Sequence, residues 1–170
     1  MKKTLLLLST ILITFASFAN IQTGRPNVKI SGSLGLSSLL GVDASIGIQP
    51  EWTAKFSNDW EIGFGPVFDI NAGYYGSIHF ASVGAGVTLR FDAKKKLNYN
   101  KKVYFGAEGG LKFQKDFYLT TNENNGKTLP TTSGVFKINT GVEYRNGFYI
   151  GGFLGYGKGN IGLELGYRTR

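Results

Sequence analysis

The chain's only histidine, His79, lies between Ser77 and Ser82, and no cysteine occurs anywhere in its 170 residues. An imidazole near a hydroxyl could support nucleophilic hydrolysis, with histidine as the base and serine as the nucleophile. No third, orienting acid can be read beside them, and such triads are defined by geometry rather than by neighbourhood in the sequence. His79 therefore reads as a histidine at an interface, and no catalytic residue is assigned. One histidine, no cysteine and no clustered ligand spacing give no transition-metal site. The glycine stretches GAEGG and GGFLGYG precede no helix, so they are not phosphate cradles, and no cofactor is implied.

The remaining chemistry is charge. Asp43, Glu51, Glu61, Asp69, Glu108, Asp116, Glu143 and Glu164 are interleaved with Lys29, Lys55, Arg90, Lys112, Lys137, Arg145 and Arg168, all out of phase with the neighbouring apolar residues and set among Gly, Ser, Asn and Gln. A near-balanced set of this kind suits an enclosed space in which charges must pair. It could also line a path for an ion or small solute. The formal charge of +8 is not a nucleic-acid footprint, because Lys2 and Lys3 sit in the leader and Lys94, Lys95, Lys96, Lys101 and Lys102 share one short stretch.

The elements that hold these charges have a period of two, the signature of strands with unlike faces. Eight such runs can be written: Val28–Ser38, Ala44–Phe56, Trp60–Tyr74, His79–Phe91, Val103–Phe117, Phe136–Tyr144, Phe148–Tyr156 and Ile161–Tyr167. Ser57-Asn58-Asp59, Asn146-Gly147 and Gly157-Lys158-Gly159-Asn160 supply turn chemistry between them, Asn146-Gly147 being read as a two-residue hairpin. The stretch Ala93–Lys102 reads as a long basic connection, a solvated charged loop that keeps a strand edge soluble, the alternative being contact with anionic head groups or cell-wall polymers. Ahead of the runs, Lys2 and Lys3, the apolar stretch Leu5–Phe18 and the small Ser17 and Ala19 make a cleavable signal peptide over 1–19, leaving one domain over 20–170.

Alternation alone does not say which face is inside. The apolar face carries both tryptophans and many Phe, Tyr and Leu, with Lys115 its only charge. An eight-stranded barrel has an interior only about wide enough for ordinary side chains to fill, so this face is too bulky to be enclosed. Aromatic residues also collect toward the strand ends. Phe56, Trp60, Phe91, Phe105, Tyr144, Phe148 and Tyr167 gather at one rim, and Tyr74, Tyr75, Phe117, Tyr118, Phe136 and Tyr156 at the other. Two such girdles fit the two interfaces of a bilayer. The expected fold is therefore all-β, an eight-stranded antiparallel up-and-down transmembrane barrel. Its closure would give every backbone amide a partner in hydrocarbon.

With both termini in the periplasm, the tight turns fall on the periplasmic side and the longest connection, Leu119–Gly134, falls outside. Pro50 and Pro66 cannot donate to a strand ladder. They are equidistant from Asn58, which predicts that they face one another and confine the loss to one rung.

In this pattern the chain resembles the small OmpA/OmpX-type outer-membrane barrels of Gram-negative bacteria over essentially all of its mature length. Its end, NIGLELGYRTR, resembles their terminal assembly strand, with Asn160, Gly162, Leu165 and Tyr167 in the usual spacing and Arg168, Thr169 and Arg170 added beyond the aromatic residue. The resemblance implies insertion by the barrel-assembly machinery into the outer membrane; the cell-wall-binding domain that some relatives carry is not expected, because the chain stops at the barrel. It leads to a non-enzymatic barrel with a structural, envelope-integrity or adhesin-like role. Its partners would be the lipid bilayer and a surface molecule at loop 119–134, with no nucleic acid. A narrow, porin-like conduit is the alternative, and a lipid hydrolase at the outer rim is a further one.

Overall fold

The computed structural model describes residues 20–21, 25–37, 41–76, 80–118 and 130–169. The leader 1–19, Ser38, Ser77, His79, positions 119–129 of the long connection and Arg170 lie outside the described residues. Eight long strands form the sheet: β1 (Asn27–Ser37), β2 (Gly41–Lys55), β3 (Trp60–Tyr75), β4 (Phe80–Asn98), β5 (Lys101–Tyr118), β6 (Pro130–Tyr144), β7 (Phe148–Tyr156) and β8 (Ile161–Arg168). Each pairs antiparallel with its neighbours in sequence, and β1 closes on β8 from Lys29↔Arg168 to Leu36↔Ile161. The barrel is thus closed and has no free edge among these strands. A short strand, Asn20–Ile21, also pairs with Lys55 and Ala54 of β2.

The faces are inverted relative to a soluble protein. Leu34, Ile70, Leu163 and Leu154 on the outside are each more than 60% exposed, whereas Glu51, Asp92 and Lys94 inside have no exposed surface. Stacked outward rings, Trp52 on Phe64 and Phe64 on Phe91, join three strands in one aromatic row, with centroids 6.3 and 6.4 Å apart.

Three connections refine the sequence reading. The turn at Ser57 is tied by its hydroxyl, which accepts from the amide of Trp60 at 3.1 Å. The Asn146-Gly147 turn is a three-residue loop including Arg145, since Tyr144 ends one strand and Phe148 begins the next; Gly147 adopts φ 93°, the left-handed position such loops require. The largest correction concerns Ala93–Lys102. It is no long loop, because β4 runs on to Asn98 and β5 starts at Lys101, leaving Tyr99 and Asn100 as the turn. Phe91 and Phe105 accordingly stand inside the strand ends rather than at them. The sixth strand likewise starts at Pro130, ahead of the expected Phe136.

The β2–β3 register is the same on both sides of a gap, Ile48↔Phe68 before it and Trp52↔Phe64 after it. Pro50 therefore lies across from Pro66, and the two missing donors fall in one interruption. The other edges of these residues stay in register, Pro50 with Val28 and Pro66 with Leu89.

Candidate functional site

Inward positions of seven strands and one turn build a single ionic chain along the lumen. It begins at Lys158, whose ammonium lies 2.9 Å from Asp69 and 2.7 Å from Glu108. Glu108 pairs with Lys137 at 3.0 Å, and Lys137 also holds Glu164 in a short ion pair. Arg90 bridges Glu164 at 2.6 Å and Asp92 at 3.0 Å. Lys29 then joins Asp92 at 2.8 Å to Glu51 at 3.4 Å. Glu51 receives Lys94 at 2.8 Å and Arg168 at 2.9 Å, and both cations reach Glu143 at 3.0 Å. Arg168 also reaches Glu61 at the longer distance of 4.0 Å, and Glu61 closes the series with Lys102 at 2.6 Å.

Seven bases and seven acids therefore alternate without a break from the turn between β7 and β8 to the opposite mouth. Burying these charges is unfavourable in isolation, and only mutual pairing with good geometry offsets the lost hydration. Gly63 makes the room Glu51 needs, because a Cβ there would come within 2.7 Å of its carboxylate.

Aromatic rings fill the space between the ions. Tyr104 and Tyr149 are buried inside and meet edge to face, with centroids 6.0 Å apart. The ammonium of Lys29 sits 4.6 Å from the Tyr149 ring centroid, and that of Lys137 sits 5.2 Å from the Phe153 centroid. Such contacts add to ion pairing in a desolvated site. Gly166 leaves room for the Tyr149 phenol, since a Cβ would come within 2.6 Å of its oxygen.

Lys158 enters the lumen from a turn, not from a strand. Its neighbours Gly157 and Gly159 adopt φ 91° and 93°, and Gly159 packs against the backbone of Gly35, so the turn folds inward over the barrel mouth. Burial disfavours the charge on Lys158, and its ion pairs with Glu108 and Asp69 offset that cost. Gly159→Ala is expected to cost about 1–2 kcal/mol, because a side chain is penalised in the left-handed region. Urea unfolding in vesicles measures it, and no loss would mean that the inward turn does not contribute.

Of the lumen residues expected from sequence, Lys29, Glu51, Glu61, Asp69, Arg90, Glu108, Lys137, Glu143, Glu164 and Arg168 belong to this chain. Asp43, Lys112 and Asp116 flank it. Asp43 accepts from the hydroxyls of Ser37 and Tyr75, Lys112 donates to the Gly157 carbonyl at 2.7 Å, and Asp116 accepts from Gln114 at 2.9 Å and Thr131 at 3.0 Å. Two expectations are corrected: Lys55 and Arg145 are exposed at the tight-turn end. Lys55 is the last residue of its strand, and Arg145 sits in a turn with its guanidinium 3.9 Å from the Tyr99 ring centroid.

Sequence reasoning missed Asp92, Lys94, Lys102, Lys158, Tyr104 and Tyr149. The first two were signalled by the continued alternation Arg90, Asp92, Lys94, which the basic composition of the stretch masked.

The girdle residues Phe56, Trp60, Phe91, Phe105, Phe148, Tyr167, Tyr74, Phe136 and Tyr156 are exposed, with Tyr144 and Phe117 half-buried. Of the terminal-strand set, Asn160, Leu165 and Tyr167 are exposed, while Gly162 lies against the lumenal Phe153 ring. Ser82 faces the lumen at 2% exposure, out of reach of a substrate on the outer surface. Among the described residues, no group of three or more His, Asp or Glu is placed to hold a metal ion.

A closed eight-stranded barrel, apolar outside and ion-paired within, has the architecture of small transmembrane β-barrels. No protein-family model matches the chain, and no curated protein does. Among solved structures it is similar to the outer membrane enzyme PagL, at 13% identity over 84% of this chain and 99% of that one, with a TM-score of 0.56. It is also similar to Ail, the attachment invasion locus protein of Yersinia pestis, at 14% identity over 86% and 99% of the two chains, with a TM-score of 0.48. The likeness to PagL is one of fold.

Proposed function

We propose that this chain is a non-enzymatic integral outer-membrane barrel with a sealed lumen, serving a structural, envelope-integrity or surface-interaction role. The observation that carries the reading is the unbroken ionic chain from Lys158 to Lys102, whose members occupy the space a conduit would need. The tight-turn end lies in the periplasm and the connection 119–134 faces outward, where it is the partner-facing surface. The signal peptide delivers the chain for export, and the strand carrying Asn160, Gly162, Leu165 and Tyr167 engages the barrel-assembly machinery. Lumenal placement of Ser82 supports the absence of hydrolysis at the lipid face.

Planar-bilayer recording tests the sealed lumen. The wild-type protein is expected to give no stable single-channel steps. Reproducible steps whose size changes in Glu108→Ala or Lys112→Ala would establish a conduit instead.

A further inference from the structure

We propose that the rim formed by the β4–β5 turn and the β6–β7 loop binds the phosphate of an anionic phospholipid headgroup in the leaflet at that end. The inference rests on the membrane-spanning reading above. A cleft of about 160 Å³ opens there, lined by Lys96, Lys101 and Arg145 together with Tyr99 and Tyr144. Lys102, Arg168 and Glu143 also line it, but those three are already engaged in the lumenal chain. Among the described residues, Lys96, Lys101 and Arg145 have no carboxylate partner within ion-pair distance, so their charges are available to an external anion.

Their setting favours a lipid over a soluble anion. Lys101 pairs across the ladder with Tyr144 and lies 5.6 Å over its ring; Lys95 pairs with Trp60 and lies 5.4 Å over it. Cations laid on outward rings at strand ends hold their aliphatic stems against apolar surface while the ammonium reaches polar headgroups. Leu97 and Tyr99 project between the lysines at 59% and 68% exposure, an arrangement that gains from contact with an acyl boundary and not from water. Lys96 directly faces Lys102 across β4 and β5, and because Glu61 already neutralises Lys102, the charge of Lys96 is the one of the pair left for an external anion.

The test reconstitutes the full chain in phosphatidylcholine vesicles with and without phosphatidylglycerol and counts retained lipids by native mass spectrometry. Phosphatidylglycerol is expected to be enriched on the wild type. Lys101→Gln should weaken that enrichment roughly fivefold, the worth of one basic residue near an anionic surface, and K96Q/K101Q/R145Q should abolish it. Lys115→Gln is a matched control, since Lys115 is exposed and lies over the Phe117 ring at the other end of the barrel. It should leave the enrichment unchanged.

Equal lipid retention by wild type and triple variant, or an equal loss from Lys115→Gln, overturns the site. Displacement of the lipid by inorganic phosphate alone assigns it to a free anion. Preferential sedimentation of wild type, but not the triple variant, with cell-wall glycan assigns it to that polymer, and either result overturns the lipid source. A heat-dependent gel-mobility shift reports insertion independently. Its loss in the wild type defeats the membrane reading, whereas its retention without enrichment defeats only this inference.

Discussion

Glu51→Ala is expected to destabilise the barrel by about 3–5 kcal/mol, the cost of leaving buried charges without their partner. Among the described residues, no other lumenal carboxylate serves three cations: Glu51 receives Lys94, Arg168 and, at longer range, Lys29. Removing it leaves three cations sharing Asp92, Glu143 and Glu61 in a space that excludes bulk water. Urea titration in vesicles reads the loss, with Trp52, adjacent in sequence, as the fluorescent reporter. Combining Glu51→Ala with Lys94→Met is expected to cost less than the sum of the single changes, because the second removes a charge the first stranded. A loss of under about 1 kcal/mol for Glu51→Ala would mean that water screens this part of the lumen, as exposed pairs are screened.

Val87→Arg is expected to cost about 2–4 kcal/mol, the penalty for a cation on the lipid face near the bilayer midplane. Val87 pairs with Phe68 on one side and Leu111 on the other, and all three are about half exposed on the outer surface. This row lies between the two rims of aromatic residues. Were the exterior bathed in water, the same substitution would fall within about ±0.5 kcal/mol, as surface changes usually do. Recovery of a fully stable, detergent-free Val87→Arg monomer would therefore refute the orientation of the barrel in a bilayer.

Both predictions depend on assigning each residue to a face, and the period of two allowed most of that to be read in advance. Lys29, Arg90, Glu108 and Glu164 stand out as charges between apolar neighbours, and no alternative strand phase could bury them with Leu34, Phe91 or Leu163. The proline pair was legible for a related reason, since equal distance from one turn determines which residues meet in an antiparallel ladder. Composition misled at Ala93–Lys102. Its lysines belong to different environments, Lys94 in the lumen and Lys95 over Trp60 outside, and a count of basic residues cannot separate alternate faces. Lys55 and Arg145 have the inward phase but lie where strands end, and phase loses its meaning past the last rung.

From the sequence alone follow the eight strands, the inverted faces and the near-balance of enclosed charge, because each depends on local alternation and on volume. The tertiary structure alone decided which acid meets which base. Glu51 and Lys94 come from β2 and β4, and Lys158 reaches Glu108 only because two left-handed glycines fold its turn into the mouth. Those partnerships are set by the closure and stagger of the barrel and by the direction of one turn. Both are properties of strands far apart in the chain, and strand periodicity carries no information about distance across a lumen.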